Sequence, residues 1–231
     1  MPKDSAAIRI LPVDPNETEL LLKLYVDLFH DREPLTKCMG LSKERMISLA
    51  RSMYLGSEKN PVAQGGCWMA RDDAAAGQAV GFIVCDDPFA AEHASIPDDL
   101  TDGEMENLLA LQAFLDEVRR PLTEWGTLTS GQYMHIAAIG VAPGYEGCGI
   151  ATRLLQTALA GAFARGFAFV FAECTSVGSK RCHEKNGFRN LHAVAGDTFA
   201  YKGKKPFAGR GLTVFLVGKD STVMSVDADE Y

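Results

Sequence analysis

The stretch Met134–Ala162, MHIAAIGVAPGYEGCGIATRLLQTALAGA, decides the fold. Ile136 to Val141 is an apolar run of strand length; Pro143 and Gly144 break it, and Gly147 and Gly149 follow. Beyond them the period changes. Ile150, Leu154, Leu155, Ala158, Leu159 and Ala162 recur at the three-and-four spacing of one helical face. The pattern reads as a strand, a glycine turn and a helix. The first N–H groups of a helix lack intrahelical partners, and the dipole adds roughly half a positive charge at that end. Glycines let a phosphate approach those groups with no Cβ in the way, so the order predicts an anion site.

Two nucleotide motifs fail on spacing. No lysine follows Gly149, which excludes a P-loop, and Gly147, Gly149 and Ala151 read G-x-G-x-A, unlike the dinucleotide fingerprint. A plain strand-to-helix turn without a ligand is the alternative for this stretch on its own.

The neighbouring segments supply the rest of an α/β domain. Ile8 to Val13 reads as a first strand, and Glu17 to Phe29 as a helix with Leu20, Leu21, Leu24 and Leu28 on its apolar face. Pro34 forces Glu33 toward an extended conformation. Ser42 is a candidate N-cap for a second helix reaching about Tyr54. Cys67 to Arg71 and Ala79 to Cys85 read as two antiparallel strands. The segment between Asp86 and Gly103 is acidic and loop-like, and a helix is expected from Glu104 to about Arg119, closed by Pro121. Phe167 to Cys174 is the nearly continuous apolar run expected of a parallel strand covered on both faces. A short helix stopped by Gly187 follows, then strands at Phe188 to Tyr201 and Leu212 to Val217. The expected organisation is one domain over residues 1–219 with a mixed sheet, and a flexible acidic tail over 220–231.

Composition narrows the partners. The chain has 231 residues, 47% apolar and 23% charged, which is ordinary for a globular protein. A formal charge of −7 argues against nucleic acid and favours a cationic small substrate. The N-terminal MPKDSAAIRI lacks the apolar core of a signal peptide, and no run approaches the roughly 18 apolar residues of a membrane span. A cytoplasmic monomer or homodimer is expected. The six cysteines have no C-x-x-C spacing, so they read as reduced packing thiols, and no metal site is expected.

The order of strand, glycine turn ending in G-x-A, helix, apolar strand and short helix ending in E-K-N-G-F resembles the GNAT superfamily of N-acetyltransferases. In that family the turn begins with Arg or Gln, and its amides hold the pyrophosphate of acetyl-CoA. Here the pattern falls on Glu146, Gly147, Cys148, Gly149, Ile150 and Ala151, with Glu146 departing from it and expected to point to solvent. A narrower resemblance is to the insect-type arylalkylamine N-acetyltransferases. It rests on Asp31-Arg32-Glu33-Pro34-Leu35 and on Cys174-Thr175-Ser176-Val177-Gly178-Ser179.

The resemblance implies a sheet whose central parallel strands splay apart, with acetyl-CoA on Ile139, Gly140 and Val141, on Glu146 to Thr152, and on Ser176 and Ser179. It also implies direct acetyl transfer to a small primary amine, arylalkylamine- or polyamine-like, within a ternary complex. An alkylamine has a pKa near ~10.4 and arrives protonated, so a carboxylate base is needed; the E-P-L element makes Glu33 the candidate. The thiolate of coenzyme A needs a proton, for which Ser179 and His183 are the two candidates. Tyr25, Phe29, Asp31 and Met39 are candidate walls of the amine pocket. An acceptor that is a protein amine or an antibiotic, or an acyl-CoA-binding module without turnover, uses the same glycine turn.

Overall fold

The computed structural model describes residues 7–55, 60–89, 96, 99–124 and 129–221. In chain order the elements are β1 (Ile8–Pro12), α1 (Thr18–Phe29), α2 (Pro34–Met39), α3 (Lys43–Leu55), β2 (Cys67–Asp72), β3 (Gln78–Asp86) and α4 (Asp102–Glu124), then β4 (Tyr133–Val141), α5 (Ile150–Ala164), β5 (Phe169–Cys174), α6 (Val177–Lys185), β6 (Arg189–Ala195) and β7 (Thr213–Asp220). The strands form one sheet in the order β1-β2-β3-β4-β5-β7-β6. Among the described residues only β4 and β5 pair in parallel; every other neighbouring pair is antiparallel.

Alternation along the central strands divides the core between two faces. Met134 and Ile136 of β4, with Val170 and Ala172 of β5, pack against Ile150, Leu154, Leu155, Ala158 and Ala162 of α5. Phe169 and Phe171 of β5 turn to the opposite face, where Phe114, Val118 and Leu122 of α4 meet Val214 and Leu216. On that same face Leu21, Leu22 and Leu28 of α1 cover Met69, Phe82 and Val84. Each fully buried side chain of this kind contributes about 1.5–3 kcal/mol.

Four sequence expectations change. The segment after Glu33 is helical, since α2 fits six residues between Pro34, a favoured first helical residue, and Gly40, whose φ of 68 ends it. Pro121 lies inside α4 rather than closing it. Its missing N–H forgoes one backbone bond, while Val118 at 0% exposure and Leu122 at 2% keep the last turns bound to the core. At its other end, Thr101 and Glu104 form a reciprocal capping box, Glu104 Oε2 accepting from Thr101 N at 2.8 Å and Glu104 N donating to Thr101 Oγ1 at 3.3 Å. β6 stops at Ala195, well before Tyr201. β7 runs on to Asp220, which pairs with Phe169 and forms an ion pair with Arg189, so the sheet takes the first residue assigned to the tail. The tail from 222 onward and most of 90–98 lie outside the described residues.

Candidate active site

A cleft opens where β4 and β5 part. Their pairing runs from Tyr133↔Phe169 to Ile136↔Ala172 and stops. At that level the β3–β4 register slips: Cys85 faces Ile136 and Val84 faces Ala138, leaving Ala137 as an extra residue on β4. A bulge increases local twist and bends its strand, which turns the upper half of β4 away from β5. Beyond it, the N–H of Ala142 bonds to Val80 O at 2.8 Å. By antiparallel alternation, Gly140 and Ala138 also face β3, so the N–H groups of Ile139 and Val141 point to the open side. Gly140 is required here for space. A Cβ would stand 2.8 Å from the Phe82 ring, 3.2 Å from Phe29 and 3.3 Å from Leu28.

The strand leads into the glycine turn. Gly147 and Gly149 both have φ of 76, a left-handed conformation that favours glycine, and open space lies where their Cβ atoms would be. Gly149 is the N-cap of α5 and no side chain caps it. The amides of Ile150, Ala151 and Thr152 are therefore left for an anion, and the residues fit a diphosphate. Glu146 is half-exposed, as expected, and is engaged elsewhere: Oε2 accepts from Gly144 N at 2.6 Å and Oε1 from Arg32 Nη2 at 2.9 Å. Its own N–H, the Gly144 N–H and Arg32 hold its carboxyl below the ordinary glutamate range. Cys148 is half-buried, and Thr152 Oγ1 lies 3.9 Å from Cys182 Sγ.

The α1–α2 corner forms the opposite wall. Arg32 Nη1 reaches Val141 O at 3.4 Å, tying the corner to the open edge. Glu33, extended at φ −79 and ψ 124, is the N-cap of α2; Oε1 accepts from Leu35 N at 3.1 Å and Oε2 from Thr36 N at 2.5 Å. The cap pins the half-buried carboxylate, and each oxygen keeps a second lone pair. The expected pocket walls fare unequally. Tyr25 and Phe29 stack at 4.8 Å and pack on Phe82, which makes them part of the aromatic core at the edge of the cleft. Asp31 is exposed and occupied by His30 at 2.7 Å and Lys43 at 3.7 Å, so it offers an incoming cation little. Met39 is buried in the cluster that α2 shares with α4.

Across the cleft, Ser176 caps α6, its Oγ accepting from Ser179 N at 3.1 Å. Ser179 is half-buried and lies against the Cys174 thiol, which burial pushes up to about 12. His183 departs from the sequence expectation of a proton donor facing the thiolate, since it is enclosed rather than open to the cleft. It is 1% exposed, Nδ1 donates to Ser179 O at 2.9 Å, and the ring packs edge-on against Phe188 at 4.9 Å. Burial lowers its pKa against the opposing effect of the Ser179 carbonyl, and Nε2 is enclosed without a partner. A neutral, enclosed imidazole is poorly suited to deliver a proton to a thiolate.

One cluster escaped the sequence reading. His135 of β4 donates Nδ1–H to Asp86 Oδ1 at 2.9 Å and Nε2–H to Glu173 Oε2 at 2.7 Å, while Arg119 of α4 pairs with the other Glu173 oxygen. Burial alone would depress His135, but Glu173 and Asp86 outweigh it and raise its pKa to about 9. Burial likewise pushes Glu173 up, and His135 and Arg119 hold it well below the carboxylate range. Glu173 directly follows Ala172, the last residue paired to β4, so the cluster bolts β3, β4, β5 and α4 together at the base of the splay. A glutamate within the apolar run FAFVFAEC was the available signal, because a buried charge requires a partner.

The acetyltransferase (GNAT) family model matches residues 35–188. Among solved structures, the C-terminal condensation domain of Ebony in complex with β-alanyl-dopamine superposes with a TM-score of 0.77 at 15% identity, over 95% of this chain and 100% of that one. A mosquito arylalkylamine N-acetyltransferase-like 5b gives 0.69 at 22%, over 92% and 99%. The Drosophila melanogaster polyamine N-acetyltransferase that forms N-acetylagmatine gives 0.68 at 22%, over 92% and 99%. At these identities the likeness concerns the fold, and the match to the family model starts two residues after Glu33.

Proposed function

The chain belongs to the acetyltransferase (GNAT) family, and from that premise we propose that it moves the acetyl group of acetyl-CoA to a small primary amine in one ternary complex. The observation that carries this reading is a single cleft with an uncapped helix N-terminus at one end, the free edge of β4 along it and a pinned carboxylate on its far wall. The amides of Gly147 to Thr152 hold the diphosphate, mainly by backbone groups. Ile139 and Val141 present N–H groups to the pantetheine arm and thioester.

Glu33 takes a proton from the incoming ammonium, directly or through water. The freed amine nitrogen attacks the thioester carbon, and the oxyanion is met by the β4 amides. That attack forms the C–N bond; collapse of the tetrahedral intermediate breaks C–S as the nitrogen gives up its second proton to solvent, which leaves a neutral amide. The thiolate takes a proton from Ser179, which recovers one from solvent. Ser179 is preferred to His183 because it is half-buried in the first turn of α6 while the imidazole is enclosed. The structural neighbours include proteins that act on arylalkylamines and polyamines, which supports an amine of that size. Among the described residues no helix is long and apolar enough to cross a membrane, and all six cysteines are unpaired. Both facts agree with work in the reducing cytoplasm.

The test is thiol release from acetyl-CoA by the full chain with a panel of amines, with products identified by mass. Amine-dependent release with an equal amount of N-acetylated product is expected. Tight acetyl-CoA binding without release for any amine would leave a binding module instead.

A further inference from the structure

Arg32 stands one residue before Glu33 in the corner between α1 and α2, and its guanidinium reaches two other parts of the cleft. Nη2 donates to Glu146 Oε1 of the glycine turn at 2.9 Å, and Nη1 donates to Val141 O at the end of β4 at 3.4 Å. The other oxygen of Glu146 accepts from Gly144 N at 2.6 Å, so the carboxylate that Arg32 grips is itself fixed to the backbone of the turn.

The turn has a separate anchor. Tyr145 O–H donates to Asp72 Oδ2 at 2.7 Å with both residues buried, and Asp72 Oδ1 accepts from Ala74 N at 2.9 Å, which fastens the turn to the β2–β3 connection. Ala142 N adds a bond to Val80 O at 2.8 Å. These contacts hold the diphosphate cradle whether or not Arg32 is in place.

The corner is held differently. Arg32 N and Glu33 N donate to Phe29 O at 3.1 and 2.8 Å, and the Leu28 and Phe29 side chains lie against Gly140. His30 Nε2 donates to Leu41 O at 2.9 Å, and Lys43 faces Asp31 at 3.7 Å; both lead toward α3 and away from β4. The cap bonds to Leu35 N and Thr36 N fix the Glu33 carboxylate in the frame of α2. The place of that frame over Ile139–Val141 depends on the contacts from the corner to β4 and the turn, and Arg32 makes its polar ones right beside the base. An exposed ion pair contributes little to folding, whereas a displacement of roughly 1 Å at a reacting group can cost about a hundredfold in rate.

We propose that Arg32 is a positioning residue for acetyl transfer: bonded to Glu146 and Val141, it ties the start of α2 to the cofactor side of the cleft and so sets Glu33 against the thioester. The role rests on the reading of Glu33 as the base of an amine acetyltransferase. It gives Glu146 a purpose as well, as the fixed end of the tether.

The test compares wild type, Arg32→Met, Glu146→Gln and the combined variant, each as the full chain, in thiol release with an accepted amine. Met removes both donors; Gln keeps an acceptor for Gly144 and loses the charge that holds Arg32. Each single variant is expected to lose about tenfold in kcat/KM for the amine, with acetyl-CoA affinity within about threefold and the melting temperature unchanged. The combined variant should fall no further than the singles, since both break one contact. At high pH the amine arrives with a free lone pair and needs no base, so the deficit should shrink as the pH approaches the amine's pKa. Wild-type kcat/KM in Arg32→Met, losses that multiply in the combined variant, a deficit of equal size at every pH, or an equal loss of acetyl-CoA affinity would each overturn the proposal while leaving acetyl transfer intact. No release by the wild type with any amine would overturn the acetyltransferase reading and this inference with it.

Discussion

At the scale of single residues, the cleft combines groups whose partners are spent on structure with groups that are not. Glu33 does both, since it starts α2 and presents a fixed carboxylate. Ser179 and His183 separate cleanly, one half-buried beside Cys174 and one enclosed against Phe188. Ser179→Ala is expected to slow single-turnover acetyl transfer by about tenfold or more with little loss of stability. His183→Phe is expected to act the other way: overpacking a filled site costs about 1–3 kcal/mol, read as a lower melting temperature, while the chemical step of the folded fraction changes little. Equal single-turnover rates for wild type and Ser179→Ala would make solvent the proton donor. Glu146 replaces the Arg or Gln usual in the family at no evident cost to the turn, because its carboxylate closes on Gly144 and Arg32.

At the scale of elements, function depends on the join between α1 and β4. Phe29 lies on Gly140, and four residues further on stands Glu33. Gly140→Ala inserts a methyl 2.8 Å from the Phe82 ring and 3.2 Å from Phe29, so the helix end must shift. The expected result is a loss of about 1–3 kcal/mol in denaturant melts. A fall in kcat/KM larger than that loss accounts for should accompany it, because a displacement of roughly 1 Å can cost about a hundredfold. Much at this scale was legible in the sequence. The change between Val141 and Ile150, from an apolar run of strand length to a three-and-four spacing, named a strand, a turn and α5 unaided. α2 was not legible, since six residues between a proline and a glycine give no measurable period. The end of α4 was misread because the burial that carries it past Pro121 comes from strands β5 and β7, far away in sequence.

At the scale of the whole molecule, the charged cluster links distant segments and gives stability a pH signature. His135 binds its proton more tightly folded than unfolded, rising to about 9. Its contribution is therefore full below the unfolded value near ~6.5 and is lost as the pH climbs through about 9. Glu173 is held low by the same pair, so its contribution is present above ~4.3 and lost as the pH falls below that. Urea melts of the wild type between pH 6 and pH 9.5 should show a decline on the order of 1–3 kcal/mol that His135→Gln flattens. Single-sequence reading could not assemble this cluster, because Asp86, Arg119, His135 and Glu173 come together only through the strand order and the packing of α4.

The most direct test of the central claim compares wild type with Glu33→Gln, measuring acetyl transfer to an accepted amine and acetyl-CoA affinity in the same preparations. Gln keeps one cap acceptor and loses the base. A fall in kcat/KM of about a hundredfold or more is predicted, with the deficit shrinking as pH approaches the pKa of the amine and acetyl-CoA affinity staying within about threefold. Wild-type kcat/KM across the pH range in Glu33→Gln would contradict the account and remove Glu33 from the mechanism.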